Sequence, residues 1–231
     1  MKTRRFLTPS AFTLIELLTV IAIIAILMGL LFPAITIAKN SANRARSGTD
    51  VANIVTAVKA YNAEYGKFPA LEAAAPADPK DGPKDAKCGD TVAGMKLDNN
   101  TLFYTLRAIA KGDVNTTPSE HAMNPRKVNF FDGRAASDPD QPRGGFADKL
   151  GVKHEGCFFD PWGKQYNIVI DTNYDNVIDL EEKYKDFENP NEPRVQVGAF
   201  SMGKDNILGD KKLPNSYRNG QTASDDVVSW Q

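Results

Sequence analysis

Phe12 to Ala38 reads FTLIELLTVIAIIAILMGLLFPAITIA, and Glu16 is its only charge. From Leu17 to Ala38 there are 22 consecutive uncharged residues. As a helix they span roughly 33 Å, enough to cross a bilayer core of about 30 Å. The preceding segment, MKTRRFLTPSA over residues 1–11, is short and basic through Lys2, Arg4 and Arg5. That bias keeps the N-terminal end in the cytoplasm and sends the chain beyond the span to the other side of the membrane. An ordinary secretory signal has an apolar stretch of about 7–15 residues and then a small-residue cleavage site. This stretch is longer, carries Glu16 near its start and ends without an A-x-A pattern. A plain single-pass anchor leaves Glu16 unexplained, since a carboxylate on a spanning helix costs on the order of 2.5–3.5 kcal/mol and calls for a partner.

The run Ala11-Phe12-Thr13-Leu14-Ile15-Glu16-Leu17-Leu18 resembles the type III (prepilin) signal of type IV pilins and type II secretion pseudopilins. The resemblance implies that prepilin peptidase cuts between Ala11 and Phe12 on the cytoplasmic side, methylates the new amine and leaves the apolar segment in place. Ala11 stands where the family usually carries Gly, and Pro33 fits the proline often found at this depth. Glu16 becomes the fifth residue of the mature chain. Losing Lys2, Arg4 and Arg5 from 28 basic side chains leaves 25 against 29 acidic ones. Cleavage creates a positive amine at Phe12 beside the membrane face. Glu16 of a neighbouring subunit can neutralise it and set the axial register between subunits. Phe12 and Glu16 are then assembly residues, with an interface role and not a catalytic one.

Beyond the span, Lys39 to Tyr65 stays helix-compatible but becomes amphipathic. Val51, Ile54, Val55, Val58, Tyr61 and Tyr65 recur every three or four residues and form one apolar stripe. Arg44, Arg46, Asp50, Lys59 and Glu64 lie mostly off it. Gly66 and Pro69 end the pattern. One helix from Phe12 to Tyr65, bent near Gly29 and Pro33, is expected, with a folded head on its second half. Ala70 to Cys88 is rich in Ala, Pro, Asp and Lys and reads as an exposed loop. Asn100 to Lys111 reads as a short amphipathic helix through Leu102, Phe103, Leu106 and Ile109. Asp113 to Leu150 is again loop-like.

Asp160-Pro161-Trp162-Gly163 reads as a tight turn leading into a strand over Gln165–Asp171. With Tyr166 it resembles the head of the major pseudopilin, where Trp162 closes the head against the helix. Arg194 to Ser201 alternates apolar and polar residues as a second strand, and Val227 to Trp230 is a third. Strands this close in sequence favour an antiparallel sheet. The expected class is α+β and pilin-like: a long N-terminal helix on a small antiparallel sheet with long loops. The organisation is 1–11 leader, 12–38 transmembrane and assembly half of the helix, 39–66 amphipathic half, 67–159 variable region with a short helix, and 160–231 sheet with acidic loops.

Asp171, Asn173, Asp175, Asp179 and Glu182 occupy positions one, three, five, nine and twelve of a segment spaced like an EF-hand calcium loop. Asn176 takes the sharp-turn position. A calcium site and a solvated acidic turn are both open readings. Asp205, Asp225 and Asp226 resemble the calcium-binding C-terminal loop of major pseudopilins, although Lys211 to Thr222 makes this loop longer.

The formal net charge of −1 disfavours a nucleic-acid partner. The two cysteines, Cys88 and Cys157, are candidates for one disulfide or for two separate thiols. His154 and Cys157 form half of a zinc pattern, but with Cys88 and His121 the spacing matches no standard site. No G-x-S-x-G, P-loop or H-E-x-x-H occurs, so a non-enzymatic role is expected. The reading is a structural subunit of a type II secretion pseudopilus, anchored in the bacterial inner membrane with a periplasmic head. Its expected partners are other pseudopilins, prepilin peptidase, the inner-membrane assembly platform and lipid. The alternatives are a type IV pilus subunit and a membrane-anchored calcium-binding module.

Overall fold

Thr13 caps the chain's long helix and Gly66 ends it. Helix α1 runs Leu14–Tyr65 with Pro33 inside it. At its end Gly66 turns left-handed (φ +68°), and its N–H donates to the Asn62 carbonyl at 2.7 Å. Gly reaches that conformation at no steric cost, which is why it stops helices. In this computed structural model the described residues are 13–71, 85–93, 95–109, 123–149, 151, 154–178, 180, 193–207, 209–210, 213–214, 218–219 and 222–230. The chain divides into two compact units, Met1–Ala42 and Asn43–Gln231.

In the second unit the apolar stripe of α1 is the wall of the core. Val51, Ile54, Val58 and Tyr61 are fully buried, and Val55 and Tyr65 pack at the edge. They face a four-stranded antiparallel sheet. In chain order the strands of the head are β1 Ala86–Cys88, β2 Gly145–Phe146, β3 Phe158–Phe159, β4 Asn167–Ile170, β5 Val197–Ser201, β6 Gly209–Asp210, β7 Leu213–Pro214, β8 Arg218–Asn219, β9 Thr222–Ala223 and β10 Val227–Val228. The main sheet has the order β1-β4-β5-β10, and β2-β3, β6-β7 and β8-β9 form two-stranded sheets. The three expected strands are therefore present and antiparallel, with Ile168 opposite Ala199 and Val228 opposite Phe200.

Four expectations need correction. Ala70 to Cys88 is not wholly an exposed loop, because Ala86 and Cys88 are buried on edge strand β1. Three residues are too few to show a strand period. The short helix α2 spans Asn100–Leu106 and stops before Ile109, which is exposed, because Ala108 takes a left-handed φ of +53°. The loop-like stretch before Leu150 contains β2, and its Phe146 joins Phe103, Phe131 and Phe158 in an aromatic cluster with ring centroids 4.5–5.9 Å apart. Strand β5 is buried at every residue and not only on alternate ones. Val197 and Ala199 face the helix core, while Phe200 joins Met95, Ile178, Met202 and Trp230 on the other side. Both faces of the sheet are covered.

Two polar devices hold these layers in place. Asn99, fully buried, donates to the Phe158 carbonyl at 2.8 Å and the Tyr166 carbonyl at 3.0 Å, and accepts from the Phe158 N–H at 3.0 Å. It ties the start of α2 to β3 and β4. In the DPWG turn, Asp160 Oδ1 accepts from the N–H groups of Trp162, Gly163 and Lys164 at 2.8–2.9 Å, and Oδ2 accepts from the Ser201 hydroxyl at 2.6 Å. Burial pushes the Asp160 carboxyl up to about 6, while these donors pull it down. The turn is thus held by its aspartate. Trp162 is half-buried and lies outside the apolar clusters, so the expectation that it closes the head on the helix fails. Tyr166 makes that contact, donating its hydroxyl to Asp50 on α1 at 2.8 Å.

Asp50 itself is a correction. It is 4% exposed, not on a solvent face. Arg134 forks onto both its oxygens at 2.9 and 2.6 Å. Beside it Arg46 donates to the Gly144 carbonyl at 2.7 Å. The polar edge of the helix stripe is a clamp on the head.

Candidate functional site

Glu16 is the candidate residue whose surroundings the structure describes best. The Thr13 backbone N–H donates to Glu16 Oε2 at 2.9 Å, and the Thr13 hydroxyl donates to the same oxygen at 2.7 Å. The Glu16 N–H donates back to Thr13 Oγ1 at 3.3 Å. This reciprocal T-x-x-E arrangement is a capping box, in which two backbone donors of the first turn find acceptors on side chains. Thr13-Leu14-Ile15-Glu16 spells it in sequence, a signal overlooked when Glu16 is considered only as a partner for another molecule. Both bonds onto the carboxylate end on Oε2. Among the described residues none reaches Oε1.

After this cap the helix offers only apolar surface. Every large apolar side chain from Leu14 to Ile37 is exposed, from 46% at Val20 to 80% at Leu14. An exposed apolar surface of this size marks a membrane or protein contact surface. By length and composition α1 qualifies as a membrane span. Residues 9–32 match the family model of the prokaryotic N-terminal methylation motif.

The N-terminal segment carries a type IV prepilin-like motif.

The match speaks for the N-terminal helix and ends before the head. No curated protein and no solved structure matches it. The motif implies processing by prepilin peptidase and assembly into pilin-type polymers, and it indicates a structural subunit. With the apolar helix it fits an inner-membrane anchor. Ala11 and Phe12, the expected processing pair, lie outside the described residues.

The two acidic segments lie in separate loops of the head. In the first, Asp171 is buried, and its oxygens accept from the Asp175 and Asn176 N–H groups at 3.2 and 2.8 Å. Asn173 Oδ1 accepts from the Asp175 N–H at 3.1 Å, and Asp175 Oδ1 accepts from the Val177 N–H at 2.8 Å. Asn176 sits left-handed at φ +65°, as the sharp-turn position requires. Asp171, Asn173 and Asp175 are thus gathered around one turn; Asp179 and Glu182 lie outside the described residues. Ile178 anchors this loop. A Cβ at Gly198 on β5 would stand 2.3 Å from its Cδ1, so only glycine leaves room for it.

In the second segment, Asp225 Oδ2 accepts from the Lys204 and Asp205 N–H groups at 2.7 and 3.1 Å. Asp205 Oδ1 accepts from the Ile207 N–H at 2.9 Å. Asp205 and Asp225 therefore meet across the loop, and Asp226 is buried beside them. Cys88, on β1, and Cys157, in the turn before β3, are both buried free thiols. Burial pushes the Cys88 thiol well up, and the Cys157 thiol to about 12.

Proposed function

We propose that this chain is a structural subunit of a type II secretion pseudopilus. What carries the reading is the methylation motif set on an apolar helix whose large side chains are exposed from Leu14 to Ile37. Such a helix is completed by lipid before assembly and by other subunits after it. The choice of a secretion filament rests on the DPWG turn with Tyr166 behind it and on the acidic loop built by Asp205 and Asp225. In this reading the N-terminus is cytoplasmic, the head periplasmic, and the assembly platform of the inner membrane adds subunits at the filament base.

Processing is the first test. The intact mass and N-terminal peptide of the chain purified from its native membrane are expected to show a mature protein beginning at N-methylated Phe12. A chain still starting at Met1, in cells whose prepilin peptidase is active, removes the filament reading. Deleting the gene separates the two kinds of filament: loss of protein export supports the pseudopilus, whereas normal export with loss of surface pili selects the pilus.

Calcium belongs to the same proposal. Asp171, Asn173 and Asp175, with Asp179 and Glu182 beyond, supply the hard oxygen ligands calcium favours, as do Asp205, Asp225 and Asp226. The expected result is that millimolar calcium raises the melting temperature of the detergent-solubilised full chain. Asp225→Asn should reduce the shift if the C-terminal loop binds, and Asp175→Asn if the first loop does. An unchanged melting temperature with calcium and with EDTA rejects both sites.

A further inference from the structure

Asp98, His154 and Cys157 come together on the head, away from both acidic loops. One carboxylate oxygen, one imidazole nitrogen and the sulfur all lie within 4.8 Å of one another. We propose that these three side chains hold a zinc-class divalent cation, a borderline-soft ion that accepts sulfur, nitrogen and oxygen together. Tetrahedral zinc with bonds of about 2.0–2.3 Å puts its ligand atoms roughly 3.3–3.8 Å apart. His154 Nδ1 and Asp98 Oδ2 already stand at 3.8 Å. The sulfur needs to move by at most about an ångström, within reach of a small rotamer shift.

The surroundings suit a metal better than they suit the bare side chains. His154 Nδ1 is shielded from solvent and has no hydrogen-bond partner among the described residues. A buried polar atom left so costs about 1–3 kcal/mol, and a coordinated cation removes that cost. Gln165 Nε2 donates to Asp98 Oδ1 at 2.7 Å, which turns Oδ2 toward the histidine. Such an outer hydrogen bond is how metal-ligating carboxylates are generally oriented. Gln165 is itself buried and fixed by accepting the Asn99 N–H at 3.0 Å. The Cys157 sulfur accepts the Asn100 N–H.

The side chains of His154 and Asp98 are 35% and 39% exposed, so the cluster lies near the surface of the head. Sequence spacing hides the set, because Asp98 and the His154-x-x-Cys157 pair are joined only by the pairing of the loops around Asn99. Calcium is the wrong ion here, since it takes oxygen ligands.

Cobalt(II) is the probe, because thiolate coordination to it gives a charge-transfer absorption. Titrated into the reduced, detergent-solubilised full chain, it is expected to develop that band and saturate at about one equivalent, and zinc is expected to bleach it. Cys157→Ser should abolish the band, and His154→Gln, at a half-exposed turn, should weaken cobalt binding at least about tenfold. Cys88→Ser, which cannot form a disulfide, should keep the band. Thermal melts distinguish lost ligation from lost folding: zinc should raise the melting temperature of the wild type, whereas His154→Gln should melt like the metal-free wild type with or without zinc. Absence of the band, or its persistence in Cys157→Ser, overturns the site. So does a Cys88–Cys157 disulfide in the chain purified without reductant.

Discussion

Glu16→Gln is expected to reduce recovered filaments at least about tenfold while leaving membrane insertion unchanged. The amide keeps an oxygen to accept the Thr13 N–H, so the helix cap survives. What it loses is the charge. If Glu16 pairs with the methylated amine of a neighbouring Phe12, the loss strands that amine near lipid, at a cost on the order of 2.5–3.5 kcal/mol per subunit contact. At 1.4 kcal/mol per tenfold, that is roughly 60- to 300-fold in each association step. Glu16→Ala should lose assembly as well, and in addition the cap, worth about 0.5–2 kcal/mol. The comparison is informative because the two roles of Glu16 separate. Filament yields that stay normal in Glu16→Gln but fall in Glu16→Ala would assign the residue to capping alone. Sheared-filament yield and membrane fractionation of the two variants make the measurement.

Asp50→Ala should be the most destabilising single change on the helix face of the head, at about 3 kcal/mol. It strands the Arg134 guanidinium, whose side chain is 36% exposed, and removes the acceptor of the buried Tyr166 hydroxyl. Breaking a buried ion pair from one side costs about 3–5 kcal/mol, and the partial exposure of Arg134 places this case at the lower end. Burial by itself raises the Asp50 carboxyl, so the carboxylate depends on Tyr166, Arg46 and Arg134 for its charge. Adding Arg134→Met should recover part of the loss, because no charge is then left unpaired. Denaturant melts of the single and double variants test it. Strict additivity, or a loss under about 1 kcal/mol for Asp50→Ala, would show that the clamp contributes little.

The positions where sequence reading succeeded share a physical reason. The apolar run, the stripe from Val51 to Tyr65 and the stop at Gly66 are local: each depends on helix periodicity or on the conformation of one residue. Three strands of the main sheet were visible because each is a short run of strand-favouring residues, apolar throughout or alternating. Long-range contacts were not visible. Asp50 looks like any charged residue beside a stripe until Arg134 arrives from a stretch that reads as loop. Phe131 and Phe146 lie in that same stretch, yet they fill the centre of the core with Phe103 and Phe158. Composition marks such a region as loop, yet chain with little regular structure can still bury large side chains between a helix and a sheet.

The same division runs through the candidate sites. The run Ala11 to Leu18 by itself determined the prepilin-like motif of the N-terminal segment, since its information lies in the order of neighbouring residues and in the contrast between one carboxylate and a membrane-length apolar helix. The acidic spacing from Asp171 was equally local, and the left-handed Asn176 agrees with it. Only the tertiary structure decided that Trp162 is not the closing residue and Tyr166 is, that both faces of the sheet are covered, and that Asp98 stands beside His154 and Cys157. Those are pairings between segments tens of residues apart. They are chosen by which surfaces can be buried together, a condition on the folded chain as a whole that no local pattern encodes.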